Sequence, residues 1–142
     1  VRRSTVPVLI TRFSQPIENT QRVFLALSDR KISANALRQT LGLTKILSEA
    51  LKSPVQVMQV FPEPTKSSSD MQSVLVNSKF PIQQVQGNPI RKISASLKTN
   101  DLLILVESTH RFGQPTLGRE PEAIARSHPK TSMMIMHFPD LF

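Results

Sequence analysis

The sequence predicts an α/β domain: an open five-stranded parallel sheet with helices on both faces. Three observations lead there. Apolar runs of strand length alternate along the chain with stretches of helical period. The strongest run, Leu102-Leu-Ile-Leu-Val106, is apolar at every position, the pattern of a strand buried on both faces at the centre of a parallel sheet. The 142 residues, 39% of them hydrophobic, suit one domain with a real core. Strands that alternate with helices stack into a parallel sheet covered on either side.

Taken in order, the first segment stands somewhat apart. Ser4-Thr-Val-Pro-Val-Leu-Ile-Thr-Arg12 resembles Lys130-Thr-Ser-Met-Met-Ile-Met-His137, each with small hydroxyl residues, then a four-residue apolar strand, then a basic residue or His. Two readings are open for residues 1–20. They form an extra edge strand, which Pro7 suits, or they are a linker segment carrying the last strand of a preceding, related unit. Residues 21–142 form the main domain. The chain starts on Val1 rather than Met, which suggests a piece of a longer protein.

Val23-Phe-Leu-Ala-Leu27 is a short apolar strand that stops at Ser28-Asp29. Ser33 caps a helix running to about Leu51, with Leu37, Leu41, Leu47 and Leu51 on its buried side and Arg38, Lys45, Glu49 and Lys52 toward water. Pro54 requires that helix to have ended. Val55 to Phe61 is the next strand, stopped by Pro62-Glu-Pro64, and a Ser-rich loop covers Thr65 to Asp70. Met71 to Val76 reads as a short helix and Pro81 to Gln86 as a weaker strand. Asn88-Pro89 starts a helix with the apolar stripe Ile90, Ile93 and Leu97. After Leu102–Val106 come a loop from Glu107 to Arg119, a helix near Pro121 to Ser127, and the closing strand Met133-Met-Ile-Met136.

Composition excludes several functions. No apolar run approaches the roughly 20 residues of a membrane-spanning helix. With no cysteine there is no disulfide and no thiolate metal site, which agrees with a reducing, cytosolic setting. The net charge of +8 invites a nucleic-acid partner. However, the basic residues are single or paired and scattered, and without Trp or Tyr the stacking platforms of single-strand binders are nearly missing. An anionic small ligand or a nearby anionic membrane surface accounts for the excess equally well. Catalysis finds little support. His110, His128 and His137 are far apart, Ser108 lacks the setting of a nucleophile elbow, and no Walker-type loop is present.

Open parallel sheets bind ligands beyond the carboxyl ends of their strands. Here those ends are Ser28-Asp29-Arg30, Gln59 to Phe61, and Glu107 onward. Within the last loop, Ser108 and Thr109 offer hydroxyls, and Arg111 and Arg119 can grip a phosphate through charge-assisted bonds. His110 or Phe112 can stack on a purine, and the following helix turns its positive end toward an anion. A solvated loop is the simpler reading for any one of these residues; their common position after the central strand favours the loop as a whole. Arg91-Lys92, at the start of the helix after Asn88, is a second candidate anion site, although a solvated helix face explains it more simply.

From Gln21 to Pro139 this order of parts resembles the universal stress protein family, a Rossmann-like fold. The most specific stretch joins Asp101-Leu-Leu-Ile-Leu-Val106 to Leu117-Gly-Arg-Glu-Pro-Glu-Ala-Ile-Ala-Arg-Ser-His-Pro-Lys-Thr-Ser-Met-Met-Ile-Met136. The resemblance implies an adenine-nucleotide ligand, with no cofactor required and no catalysis. Asp29 matches the family's acidic residue near the adenosine, and Gly118 matches a glycine ahead of the last helix. The pattern departs at Glu107-Ser108-Thr109-His110, where nucleotide-binding members carry glycines, and at Arg119, where they carry a hydroxyl residue. The Leu-Gly-Arg-Glu-Pro-Glu turn is similar to cytosolic tails of bacterial cation/proton antiporters, particularly cyanobacterial ones. That likeness implies a regulatory domain on the cytoplasmic side of the inner membrane, partnered by a transporter's membrane domain. It also implies cyclic di-AMP as the ligand, otherwise ATP or AMP. The family's last strand often pairs across a dimer, so a homodimer through Met133–Met136 is expected, with a nucleotide-independent dimerisation or protein-interaction module as the alternative function.

Overall fold

The structure, a computed structural model, describes residues 8–28, 33–61, 69–108 and 119–138. In chain order the elements are β1 (Val8–Arg12), a 3-10 turn (Ile17–Asn19), β2 (Arg22–Leu27), α1 (Ala34–Leu51), β3 (Val55–Phe61) and α2 (Ser69–Ser78). There follow β4 (Ile82–Gln86), α3 (Pro89–Ser96), β5 (Asp101–Ser108), α4 (Arg119–Ser127) and β6 (Ser132–Phe138). They make one six-stranded sheet in the order β1-β6-β5-β2-β3-β4. Neighbours from β6 to β4 run parallel, and β1 runs antiparallel to β6. The parallel α/β sheet is therefore as the sequence predicts, and Val8–Arg12 adds an antiparallel edge strand, one of the two readings left open for residues 1–20.

Local chemistry accounts for the ends of the helices. The Ser33 hydroxyl accepts the Ala36 N–H at 3.0 Å and starts α1. Asn88 accepts the Arg91 N–H at 3.2 Å and starts α3, with Pro89 at its first position. Lys52 closes α1 with a left-handed backbone at φ 53. The α2 helix extends past its expected ends at both sides.

Alternation along the strands divides the core in two. Val23, Leu25, Val57, Leu102, Ile104 and Met134 point to the face covered by α1 and α2, where Leu37, Leu41 and Leu75 meet them. Phe24, Met58, Leu103, Leu105, Met133 and Ile135 point to the other face, against Ile93 of α3 and Ile124 of α4. The methionines of β6 are thus core residues, where their adaptable shape fills space.

The expected pairing of the last strand with a second copy requires that strand to lie at the sheet edge. Instead β6 lies between β5 and β1, so both its ladders are used within the chain. The physical reason is the first segment itself. Val8–Arg12 pairs with Met133–His137 in register, Leu9 opposite Met136 and Ile10 opposite Ile135, and satisfies the backbone groups a partner would have taken.

Candidate functional site

Strand order determines where a ligand can enter. The chain leaves β2 through α1 and builds outward to β3 and β4, then returns to lay β5 on the opposite side of β2. The α1 helix packs on one face of the sheet and α4 on the other. The helices that follow β2 and β5 therefore lie on opposite faces, which puts the switch in topology between the carboxyl ends of these two strands, the place where open α/β sheets have their ligand crevice. Ala26 sits opposite Leu105 in the parallel register that defines this pair.

The sequence-predicted residues map onto this point unevenly. Ser28 follows the last residue of β2 and is half-buried at the rim of the sheet. Ser108 ends β5, and Arg119 begins α4. Both backbones are thus placed at the same end of the sheet as Ser28. Asp29, Arg30, Thr109, His110, Arg111, Phe112 and Gly118 lie outside the described residues. The Arg91-Lys92 pair is exposed on the first turn of α3. Among the described residues no group of three His, Asp or Glu side chains is arranged to hold a metal.

At the neighbouring strand end, Gln59 was named from sequence only as the start of the Gln59-to-Phe61 strand end, with no role of its own. It is buried near the carboxyl end of β3, next to Leu27 in register, and accepts a hydrogen bond from Gln84 Nε2 at 3.1 Å. A glutamine among the apolar residues Val57, Met58, Val60 and Phe61 was the available signal, since a buried amide must find a partner. The bond ties β4 to β3 and stiffens one wall of the sheet end.

The opposite, strand-start end is tied by a second polar group. Arg22 Nε donates to Asp101 Oδ1 at 2.9 Å, Arg22 Nη2 donates to Asp101 Oδ2, and the Lys98 N–H donates to the same oxygen at 2.8 Å. Arg22 also donates to the Ser96 carbonyl at 2.8 Å and lies over the Phe24 ring, 4.7 Å from its centroid. This pair closes the ends of β2 and β5 away from the crevice, which makes it structural.

No family model matches the sequence, and no curated relative matches it. Solved structures do resemble it. A universal stress protein from Archaeoglobus fulgidus DSM 4304 superposes with a TM-score of 0.63 at 18% identity, over 97% of this chain and 52% of that one. A universal stress protein in complex with cAMP superposes with a TM-score of 0.53 at 16% identity, over 84% of this chain and 99% of that one. The chain thus spans about half the length of the archaeal protein. With the strand order and the two-sided helical cover, these likenesses show that the chain has the universal stress protein fold.

Proposed function

We propose that this chain is a ligand-sensing regulatory domain that binds an adenine nucleotide between the carboxyl ends of β2 and β5, without catalysing a reaction on it. One observation carries the proposal: the strand order sets the residue after β2 and the last residue of β5 at neighbouring strand ends, so the two segments singled out from sequence leave the sheet side by side. A neighbour of the same fold is a complex with cAMP, which supports an adenine ligand at a fold of this kind. Arg111 and Arg119 are assigned to the phosphates, Phe112 or His110 to the base, and Asp29 to the adenosine part of the ligand. In the finer form of the proposal the ligand is cyclic di-AMP. The domain then sits on the cytoplasmic side of the inner membrane and acts on the membrane part of a sodium or potassium/proton antiporter. Such a ligand regulates only through its difference in affinity between two states of the domain.

Calorimetric titration with cyclic di-AMP, ATP and AMP at two salt concentrations tests the reading. Saturable binding of one of them is expected, and Arg111→Ala or Arg119→Ala should weaken it at least tenfold, about 1.4 kcal/mol, with unchanged thermal unfolding. No heat and no thermal shift from any of the three would leave the dimerisation or protein-interaction module. The glycine-poor Glu107-Ser108-Thr109-His110 favours that second reading, because glycine is what lets backbone N–H groups approach a phosphate closely.

A further inference from the structure

The end of the sheet opposite the crevice carries a pattern that neither the fold nor the proposed ligand site requires. Each of the four helix-to-strand turns of the parallel sheet holds one exposed lysine: Lys52 before β3, Lys79 before β4, Lys98 before β5 and Lys130 before β6. In a parallel sheet all such turns lie at the same end, so topology gathers four residues far apart in sequence. The turns precede strands that run from β6 to β4 across the sheet. At about 4.8 Å per strand the row is about 19 Å wide. None of the four ammonium groups has a carboxylate partner among the described residues, although Glu18 and Glu49 are exposed nearby.

Helix macrodipoles favour cations at these positions and explain part of the pattern. They do not explain the backbone. Lys52 and Lys79 sit at φ 53 and φ 61, a left-handed conformation that glycine or asparagine adopts at lower cost. Strain retained at two of four turns points to a use for the charge. At the same end Phe13 is 49% exposed. It is held there because Arg12 and Ser14, on either side, bond to the carbonyls of Ala125, His128, Pro129 and Thr131 in the turn that contains Lys130.

We propose that this strand-start end docks on an anionic lipid bilayer, with the four lysines on headgroup phosphates and Phe13 dipping toward the acyl chains. The chemistry favours lipid over nucleic acid. The cations are lysines, point charges on long apolar stems, rather than arginine forks that read phosphate and base edges. They form a row on a sheet end rather than lining a groove. An exposed phenylalanine among them suits a surface with phosphate outside and hydrocarbon beneath. Docking this way turns the β2–β5 crevice away from the bilayer and leaves it open, so the proposal stands independently of the nucleotide reading.

The test is sedimentation of the chain with vesicles of phosphatidylcholine, with and without phosphatidylglycerol, at low and high salt. Binding is expected only to the anionic vesicles, and weaker at high salt. The double variant Lys98→Gln, Lys130→Gln should lower it about thirtyfold, since about 1 kcal/mol per lysine is about fivefold each. A matched double variant, Arg38→Gln, Lys45→Gln on the exposed side of α1, should leave binding near that of the parent chain. Phe13→Ser should weaken it at unchanged thermal unfolding. Equal loss in both double variants would reduce the effect to diffuse net charge and overturn the docking face. So would a lack of preference for anionic vesicles, or binding to duplex DNA or single-stranded RNA that anionic vesicles fail to displace.

Discussion

At the scale of single residues, the buried Asp101 carboxylate shows how a charge is kept inside this protein. Its side chain is 1% exposed, and two arginine nitrogens and the Lys98 N–H all donate to it. Such a pair adds little relative to apolar substitutes, yet removing one partner strands the other charge. Arg22→Met should therefore destabilise the chain by about 3 kcal/mol, read from urea unfolding midpoints. The further change Asp101→Asn in that background should recover part of the loss by removing the stranded charge. Sequence reading took Asp101 only as the start of a family-like stretch. Nothing local marks its partner, because Arg22 is 79 residues away and meets it only through the parallel register of β2 and β5. The two buried threonines of α1 were missed for a different reason. Thr40 and Thr44 occupy the apolar stripe with Leu37 and Leu41, which a polar residue type hides in a pattern count. Their hydroxyls bond back to the carbonyls of Ala36 at 2.9 Å and Thr40 at 2.8 Å, so burial leaves no unsatisfied group.

At the scale of elements, β1 is the instructive case. Five residues of strand would hold weakly to an edge, and a side chain supplies what the ladder lacks. Arg12 reaches the last turn of α4, where its Nη1 donates to the Ala125 carbonyl at 3.0 Å and its Nη2 to the His128 and Thr131 carbonyls at 2.7 Å each. The Ala125 carbonyl lies in the last turn of α4 and the other two just beyond it, at the negative end of the helix, where a cation is favoured. Arg12→Ala should cost about 2 kcal/mol and speed hydrogen exchange at Leu9 to Thr11 well before the amides of β2 and β5 respond. Exchange in β1 that stays unchanged would show that the ladder alone holds the strand. Most elements were legible because each carries its own signal: Ser33 and Asn88 as caps, Pro54 as a stop, and Leu102–Val106 as a doubly buried run. The glutamine-rich β4 gave a weaker signal because it is an edge strand whose two half-buried residues, Ile82 and Val85, face opposite sides of the sheet.

At the scale of the whole molecule, β1 decides what the sheet can pair with. It covers β6 and leaves its own outer edge, with Leu9 44% and Ile10 38% exposed. Removing residues 1–15 should uncover the apolar edge of β6 and make the truncated chain self-associate more strongly than the complete one, as sedimentation velocity would read it. A truncated chain that stays monomeric would show that β6 is not complementary to itself. The two ends of the sheet also differ in kind. One carries the neighbouring ends of β2 and β5 for the proposed ligand, and the other a row of lysines for the proposed bilayer.

By itself the sequence determined the alternation of strands and helices, the burial of β5, the helix starts and the parallel sense of the main sheet. These follow from periodicity, capping and turn chemistry, which act over a few residues. Tertiary structure alone decided that β1 closes the edge of β6 and that Arg22 meets Asp101. It also decided that Ser28 and Ser108 leave neighbouring strand ends, and that four separate lysines share one end. Each of these depends on which strands lie side by side, a choice made by packing the two apolar faces of the sheet across long stretches of chain. No local pattern encodes that order, because every strand of such a sheet presents the same apolar faces to its neighbours.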